Sequence, residues 1–157
     1  LSRPFGERWQ WSMDVSGISV SATPASGGVE ATLPSGTDLI VSTQSLAYGL
    51  FDRGDVSSLG LQYQTGDATD TISIGLYTQQ PLGQAWRISP RFRFDQRKFH
   101  ADGSQQVLYS PGLRTEMRWH RLWLEFEGGA EFGQRTLGDS SSDATRYYFS
   151  LGYRYDL

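Results

Sequence analysis

The sequence contains no cysteine, only one lysine and no long apolar run. Without cysteine, the chain can hold neither a disulfide framework nor a cysteine-ligated metal. Its apolar runs span only a few residues, whereas a transmembrane helix needs about 20. A formal net charge of −3 gives nucleic-acid binding no bulk electrostatic support. The charge therefore predicts that the chain binds no nucleic acid. The 157 residues are enough for one domain, so we predict a single domain over 1–157.

No segment repeats its apolar residues every three to four positions, as an amphipathic helix would. Almost the whole chain instead alternates between apolar and polar residues, as strands do. Turn-rich breaks divide it into eight predicted strands. These are 11 to 15 residues long, whereas strands in soluble domains usually run about 5–6 and a tilted membrane-spanning strand needs roughly 9–11. The lengths therefore predict strands that can cross a bilayer. The predicted strands cover residues 8–22, 38–51, 56–66, 70–80, 85–99, 105–119, 122–136 and 145–157.

The connections between these strands alternate in character along the chain. The tight connections FDRGD, QPLGQ and WHRLW alternate with more polar ones, namely residues 21–37, TGDATD, HADGSQ and LGDSSSDA. Short turns on one side and longer loops on the other are typical of up-and-down barrels in the outer membrane, where the short turns face the periplasm. This pattern predicts an all-β, antiparallel, up-and-down transmembrane β-barrel.

The two faces of the predicted strands differ in polarity. In 85–99 and 122–136, large apolar side chains alternate with arginine or glutamate. An arginine facing lipid near the midplane would cost about 2–4 kcal/mol, so the apolar face must meet lipid or a core. Neighbouring strands carry opposite charges, which predicts cross-strand ion pairs on the other face, either as a structural ladder or as a charged pore wall. The predicted lumen ladder comprises Arg87, Arg91, Arg93, Arg97, Arg114, Glu116, Arg118, Glu125, Glu127, Glu131, Arg146 and Arg154.

Tryptophan and tyrosine side chains cluster beside the short connections. Outer-membrane barrels carry such aromatic girdles where the barrel wall meets the membrane interface. Trp123 also lies beside a short connection, but it has the opposite parity to the apolar face of its strand. The predicted girdle comprises Trp9, Trp86, Trp119, Tyr153 and Tyr155.

The final residues, SLGYRYDL, resemble the C-terminal signal of bacterial outer-membrane barrels. That signal has a polar residue, a glycine two positions later, and hydrophobic residues at the third-last and last positions. Here these are Ser150, Gly152, Tyr155 and Leu157, with Leu157 replacing the usual Phe. The resemblance implies a location in the bacterial outer membrane. It also implies outer-membrane lipid and the barrel-assembly machinery as partners, the latter by edge pairing of the terminal strand.

An internal similarity links the start of the chain to its middle. LSRPFGERWQWSM and TQQPLGQAWRISP share proline, glycine and tryptophan at positions 77 residues apart. By analogy, residues 1–3 are the end of a preceding strand, which predicts the C-terminal part of a larger barrel. A turn that recurs at any barrel rim is the alternative. The chain begins with Leu and no signal-peptide pattern follows, so we expect a mature chain or a fragment.

LSRPFGERWQW, the Ser/Pro/Gly-rich loop and YYFSLGYRYDL together resemble a known barrel type. This is the C-terminal barrel of bacterial outer-membrane proteins that carry periplasmic tetratricopeptide repeats, exopolysaccharide exporters among them. The resemblance implies a periplasmic repeat domain or further barrel strands as partners. It assigns no polysaccharide-contacting residue to a numbered position.

Groups suited to catalysis are sparse. His100 and His120 are the only histidines, and we expect them at opposite ends of the strands, where they cannot share a metal. Ser104 and the serines at 140–142 have no base placed beside them. We therefore predict no enzymatic activity, no metal and no cofactor.

The sequence thus predicts part of an outer-membrane channel for export or diffusion of polar solutes or exopolysaccharide. Two alternatives remain open. One is a complete eight-stranded barrel with a filled interior, which anchors the membrane or presents loops. The other is a soluble, lipocalin-like barrel that turns its apolar face inward around a ligand.

Overall fold

The chain forms one antiparallel sheet in a computed structural model that describes residues 1–20, 36–51 and 53–156. Within these residues the strands follow each other in up-and-down order, each pairing with its sequence neighbours. None of the described segments is a helix that could span a membrane. The strands are β1 (Ser2–Phe5), β2 (Trp9–Val20), β3 (Gly36–Tyr48), β4 (Val56–Gly66), β5 (Thr69–Leu82), β6 (Trp86–Phe99), β7 (Gln105–Trp119), β8 (Leu122–Leu137) and β9 (Ser140–Tyr155).

The all-β antiparallel prediction is confirmed, but the described chain holds nine strands rather than eight. The additional strand is β1, which pairs with the start of β2 across a turn in which Gly6 has a φ of 68°. Leu1 extends this ladder, since its backbone N and O each bond to Met13 at 2.8 Å. Alternation does not detect this four-residue segment, which contains Pro4, but the similarity to residues 78–90 predicts strand residues at 1–3.

The predicted alternation of short and long connections is only partly found. Residues 67–68 and 138–139 form two-residue turns where longer polar loops were expected. The β8–β9 hairpin extends further than predicted because residues 140–144, despite their polar side chains, pair with the end of β8. Most of the connection at 21–37 lies outside the described residues.

The two faces of the sheet differ in polarity and in which kinds of side chain they bury. On the face that carries Leu61, Phe126 and Leu151, which we call the apolar face, large side chains are exposed, and Leu151 reaches 75%. On the opposite, charged face, the carboxylates of Asp95 and Glu116 are buried, at 3% and 8% exposed, whereas arginines such as Arg146 are exposed. Soluble domains instead bury their large apolar side chains and leave carboxylates in water. Among the described residues, Ala47 is the only buried hydrophobic side chain.

Candidate functional site on the charged face

The predicted ladder residues share one face of β6 to β9. Side chains two residues apart on a strand point to the same face, and the register aligns these positions across strands. Arg87 thus lies opposite Glu116, and Glu131 opposite Arg146. Ion pairs join both couples, at 3.4 and 3.6 Å. The expected cross-strand pairing is therefore present on this face.

The carboxylate of Glu116, on β7, forms ion pairs with two arginines. Glu116 is 8% exposed and accepts Arg87 Nη1 at 3.4 Å and Arg114 Nη2 at 2.9 Å. Arg114 Nη2 also lies 2.8 Å from Glu125 Oε2. A carboxylate this far removed from water is costly unless it is paired, so the two guanidinium groups are what makes Glu116 tolerable here.

We expect Glu116→Gln to lower the free energy of unfolding by about 1–2 kcal/mol. Removing one partner of a buried pair leaves charge uncompensated, but Arg87 and Arg114 are each nearly half exposed, which reduces the cost. Asp156→Asn is the matched control, since its pair with Arg154 is exposed on both sides and should contribute less than about 1 kcal/mol. Urea titration of the folded protein would measure both, and equal effects would contradict the expectation.

The Arg91 side chain, on β6, extends across β7 and contacts residues on β8 and β9. From β6 its Nη2 pairs with Glu127 on β8 and donates to Tyr148 Oη on β9 at 2.8 Å. The residue opposite Arg91 on β7 is Gly112, whose missing side chain leaves room for the arginine to cross. Arg91 thereby ties together three strands of the charged face.

Tyr148 lies over the glycines that Arg91 crosses. It is opposite Gly129, which is itself opposite Gly112. A Cβ added at Gly129 would sit 2.6 Å from Tyr148 Cζ and 2.7 Å from the carbonyl oxygen of Pro111. These glycines therefore form a slot that the tyrosine fills. Tyr148 was not among the predicted ladder residues, and only the register of β7, β8 and β9 brings it to this slot.

Arg93 pairs along its own strand instead of across the sheet. Asp95 accepts Arg93 Nε at 2.8 Å and Nη2 at 3.0 Å, and it also accepts Ser73 Oγ from β5. Asp95 is missing from the predicted ladder, although its alternation places it on the charged face. No ion pair is found for Arg97 or Arg118 within the part of the chain that the structure describes.

Two of the cavities that the described residues form on the charged face meet near Arg93. The first has a volume of about 610 Å³, and its lining combines serines and glutamines of β1 to β5 with apolar residues, Asp14 and Arg93. The second, of about 690 Å³, extends across β3 to β9 and includes Arg91, Arg93 and Arg97. The cavities share four lining residues, which are Gln44, Gly60, Gly75 and Arg93.

The predicted girdle residues gather at one edge of the sheet, the edge that holds the β1–β2, β3–β4, β5–β6 and β7–β8 turns. Each is an exposed side chain on the apolar face near a strand end, and all five keep their predicted positions: Trp9, Trp86, Trp119, Tyr153 and Tyr155. Trp123 is on the charged face, as its parity indicated, with the Arg154 guanidinium 5.5 Å from its ring centroid. Their role as a membrane girdle stays a prediction.

The predicted assembly-signal residues lie in and after β9. Ser150 and Gly152 are opposite Glu127 and Glu125 on the charged face, whereas Tyr155 ends the strand on the apolar face. Leu157 lies outside the described residues. Recognition of this segment by an assembly machinery stays a prediction.

The opposite edge of the sheet carries side chains that fasten its turns. His100 Nε2 lies 2.9 Å from Asp70 Oδ2, and its Nδ1 lies 3.1 Å from the Asp67 carbonyl oxygen. These hydrogen bonds, first that with Asp70, raise the pKa of His100 above its usual range. Ser104 is fully buried in the same β6–β7 connection as His100, and its backbone N–H donates to Asp102 at 2.9 Å.

We expect the His100–Asp70 contact to weaken as the pH rises. The pKa of His100 is raised in the folded chain, so the stabilisation is fully present below the unfolded value of about 6.5 and is lost as the pH passes the folded value. A ring-proton NMR titration of His100 would measure the midpoint. Asp70→Asn should lower it, and Asp139→Asn, in another turn of the same edge, should not. A midpoint unchanged by Asp70→Asn would contradict this origin of the shift.

The described residues contain no group of three or more histidine, aspartate or glutamate side chains placed to hold a metal ion. His100 and His120 lie at opposite edges of the sheet, as expected.

In comparisons with known proteins, no family model, no curated protein and no solved structure matches the chain.

Proposed function

We propose that this chain belongs to an integral β-barrel of the bacterial outer membrane that forms a channel for export or diffusion of polar solutes or exopolysaccharide. The observation that carries the proposal is the inverted distribution of side chains. Phe149 is 82% exposed on the apolar face, whereas Glu116 and Asp95 are buried on the charged face. Lipid stabilises such an arrangement, because it solvates apolar side chains and leaves charges to an aqueous interior.

Strand length and aromatic placement support the same assignment. The strands β2 to β9 run for 11 to 16 residues, against the roughly 9–11 that a tilted strand needs to cross a bilayer. The five girdle residues, at the edge that holds the β1–β2, β3–β4, β5–β6 and β7–β8 turns, would then mark the periplasmic interface. In this orientation the free edge of β9, which among the described strands pairs only with β8, is available to the barrel-assembly machinery.

The composition of the charged face supports a pathway for polar solutes rather than a packed protein core. The linings of the two cavities that meet near Arg93 include hydroxyl, amide and guanidinium groups, which suit polar solutes. The filled, non-conducting barrel is the second candidate, and the ion pairs together with the Tyr148 slot favour it. A soluble ligand-binding barrel would need the apolar face around its cavity, and here that face is the exposed one.

Single-channel recording of the purified protein in a planar bilayer tests the proposal. We expect a stable open current from protein whose folding is verified by heat-dependent migration in electrophoresis. Folded but silent protein would favour the filled barrel. Protein that stays soluble and folded without detergent would overturn the membrane assignment.

A further inference from the structure

We propose that the groove where the two cavities meet binds the anionic groups of permeating solutes, such as carboxylate, phosphate or sulfate, and makes the pathway anion-selective. This inference rests on the proposed channel function and adds the charge class of the solute. The groove is formed by Gly60 and Gly75 in front of Arg93, and these three residues line both cavities.

The glycines create free space at this point. Gly60 and Gly75 are opposite each other on β4 and β5, and Gly75 is opposite Arg93 on β6. A Cβ added at Gly75 would meet no atom within 4 Å, and one at Gly60 would meet only the Gly75 carbonyl oxygen at 4.0 Å. The slot at Gly129 is filled by Tyr148, whereas no side chain of the described residues fills this groove.

Arg93 is placed to use that space. Its side chain is 61% exposed, although its Nε and Nη2 are bonded to Asp95. Among the described residues its Nη1 makes no hydrogen bond, so this donor remains for a ligand. A planar guanidinium group held by a carboxylate on one side can still bind an oxyanion on the other.

The charges around the second cavity leave one arginine in excess. Four guanidinium groups face three carboxylates when the direct ion-pair partners are included, and Arg97 is the cation without an ion pair within the described chain. The remaining wall, on β3 to β5, offers only neutral groups. The charged groups are Arg91, Arg93, Arg97 and Arg146 against Asp95, Glu127 and Glu131.

Asp14 works against this excess. It lines the first cavity on β2, across the serine and glutamine side chains from Arg93. Its carboxylate makes no ion pair within the described residues, so its charge acts on a solute directly. Removing the charge of Arg97 and removing that of Asp14 should therefore shift the anion selectivity in opposite directions, and this difference in direction can be tested.

The test measures the chloride-to-potassium permeability ratio from reversal potentials in a KCl gradient. The unmodified protein should favour chloride, because Arg97 is on the same strand as the groove residue Arg93, whereas Asp14 is on β2. Arg97→Gln should lower the ratio by about twofold, the effect of one charge several ångströms away in a water-filled passage, and Asp14→Asn should raise it by a similar factor. Lys98→Gln removes a cation from the opposite face of the same strand and should change nothing.

A second measurement addresses the groove itself. Inorganic phosphate should reduce the chloride current of the unmodified protein, and Gly75→Phe, which fills the groove, should abolish this inhibition. The anion site would be overturned, and the channel function kept, if an open channel favours potassium. The same conclusion follows if Arg97→Gln leaves the permeability ratio unchanged and phosphate leaves the chloride current unchanged. Absence of current in folded protein would overturn the channel itself, and the anion pathway with it.

Discussion

Replacing Leu61 by arginine is expected to cost about 2–4 kcal/mol of folding free energy in a bilayer, whereas the same replacement at Gln62 should cost little. The two residues are neighbours in the middle of β4, and both are exposed. Leu61 is on the apolar face, opposite Thr43 and Ile74, and Gln62 is on the charged face, opposite serines. Only contact with lipid on one face gives them different costs.

Folding into lipid vesicles under a urea gradient would measure both variants. Because no charged residue lies directly opposite either position, the comparison isolates the medium that each face meets. If both variants fold as well as the unmodified protein, the apolar face is not in lipid. If both are equally impaired, the effect comes from the strand and carries no information about the membrane.

Alanine at Gly129 is expected to destabilise the fold by about 1–3 kcal/mol, the usual cost of overpacking. The added methyl group would collide with the Tyr148 ring and with the carbonyl oxygen of Pro111, and the backbone atom cannot move aside cheaply. Gly75→Ala is the matched control, since its methyl group meets nothing. It should be neutral, or stabilising by up to about 1 kcal/mol through the unfolded chain.

Unfolding curves in urea for the two alanine variants would test this difference. Tyr148→Ala combined with Gly129→Ala should recover only part of the loss, because the contact with Pro111 persists. Equal stability of Gly129→Ala and Gly75→Ala would mean that Tyr148 does not occupy the slot.

The strands could be predicted because alternation and length are local properties of the sequence. Strands β4 and β7 were predicted with the bounds that the structure has. The start of β9 was missed because its serines resemble a loop, and cross-strand backbone bonds extend the hairpin despite this composition. Alternation is too short to indicate β1, which was predicted only from the similarity between the start and the middle of the chain, and its position follows from pairing with β2.

The candidate site was predictable in its charges but not in its connections. Parity placed all twelve ladder residues on one face, since alternation assigns a face without knowledge of the partners. It could not show that Arg91 reaches past Gly112 to Tyr148, or that Arg93 turns to Asp95. These contacts depend on which residues lie opposite each other, and strand register is a property of the assembled sheet.

The sequence by itself determined most of the strands, the polarity of the two faces and the edge at which the aromatic residues gather, because each follows from spacing along one strand. The tertiary structure decided which charges meet, which glycine pair is filled and which is open. Gly129 and Gly75 look alike in the sequence, and they differ because Tyr148 lies opposite Gly129, whereas the neighbours of Gly75 across the sheet are Gly60 and Arg93. Cross-strand neighbours come from distant parts of the chain, so their packing is set only when the sheet forms.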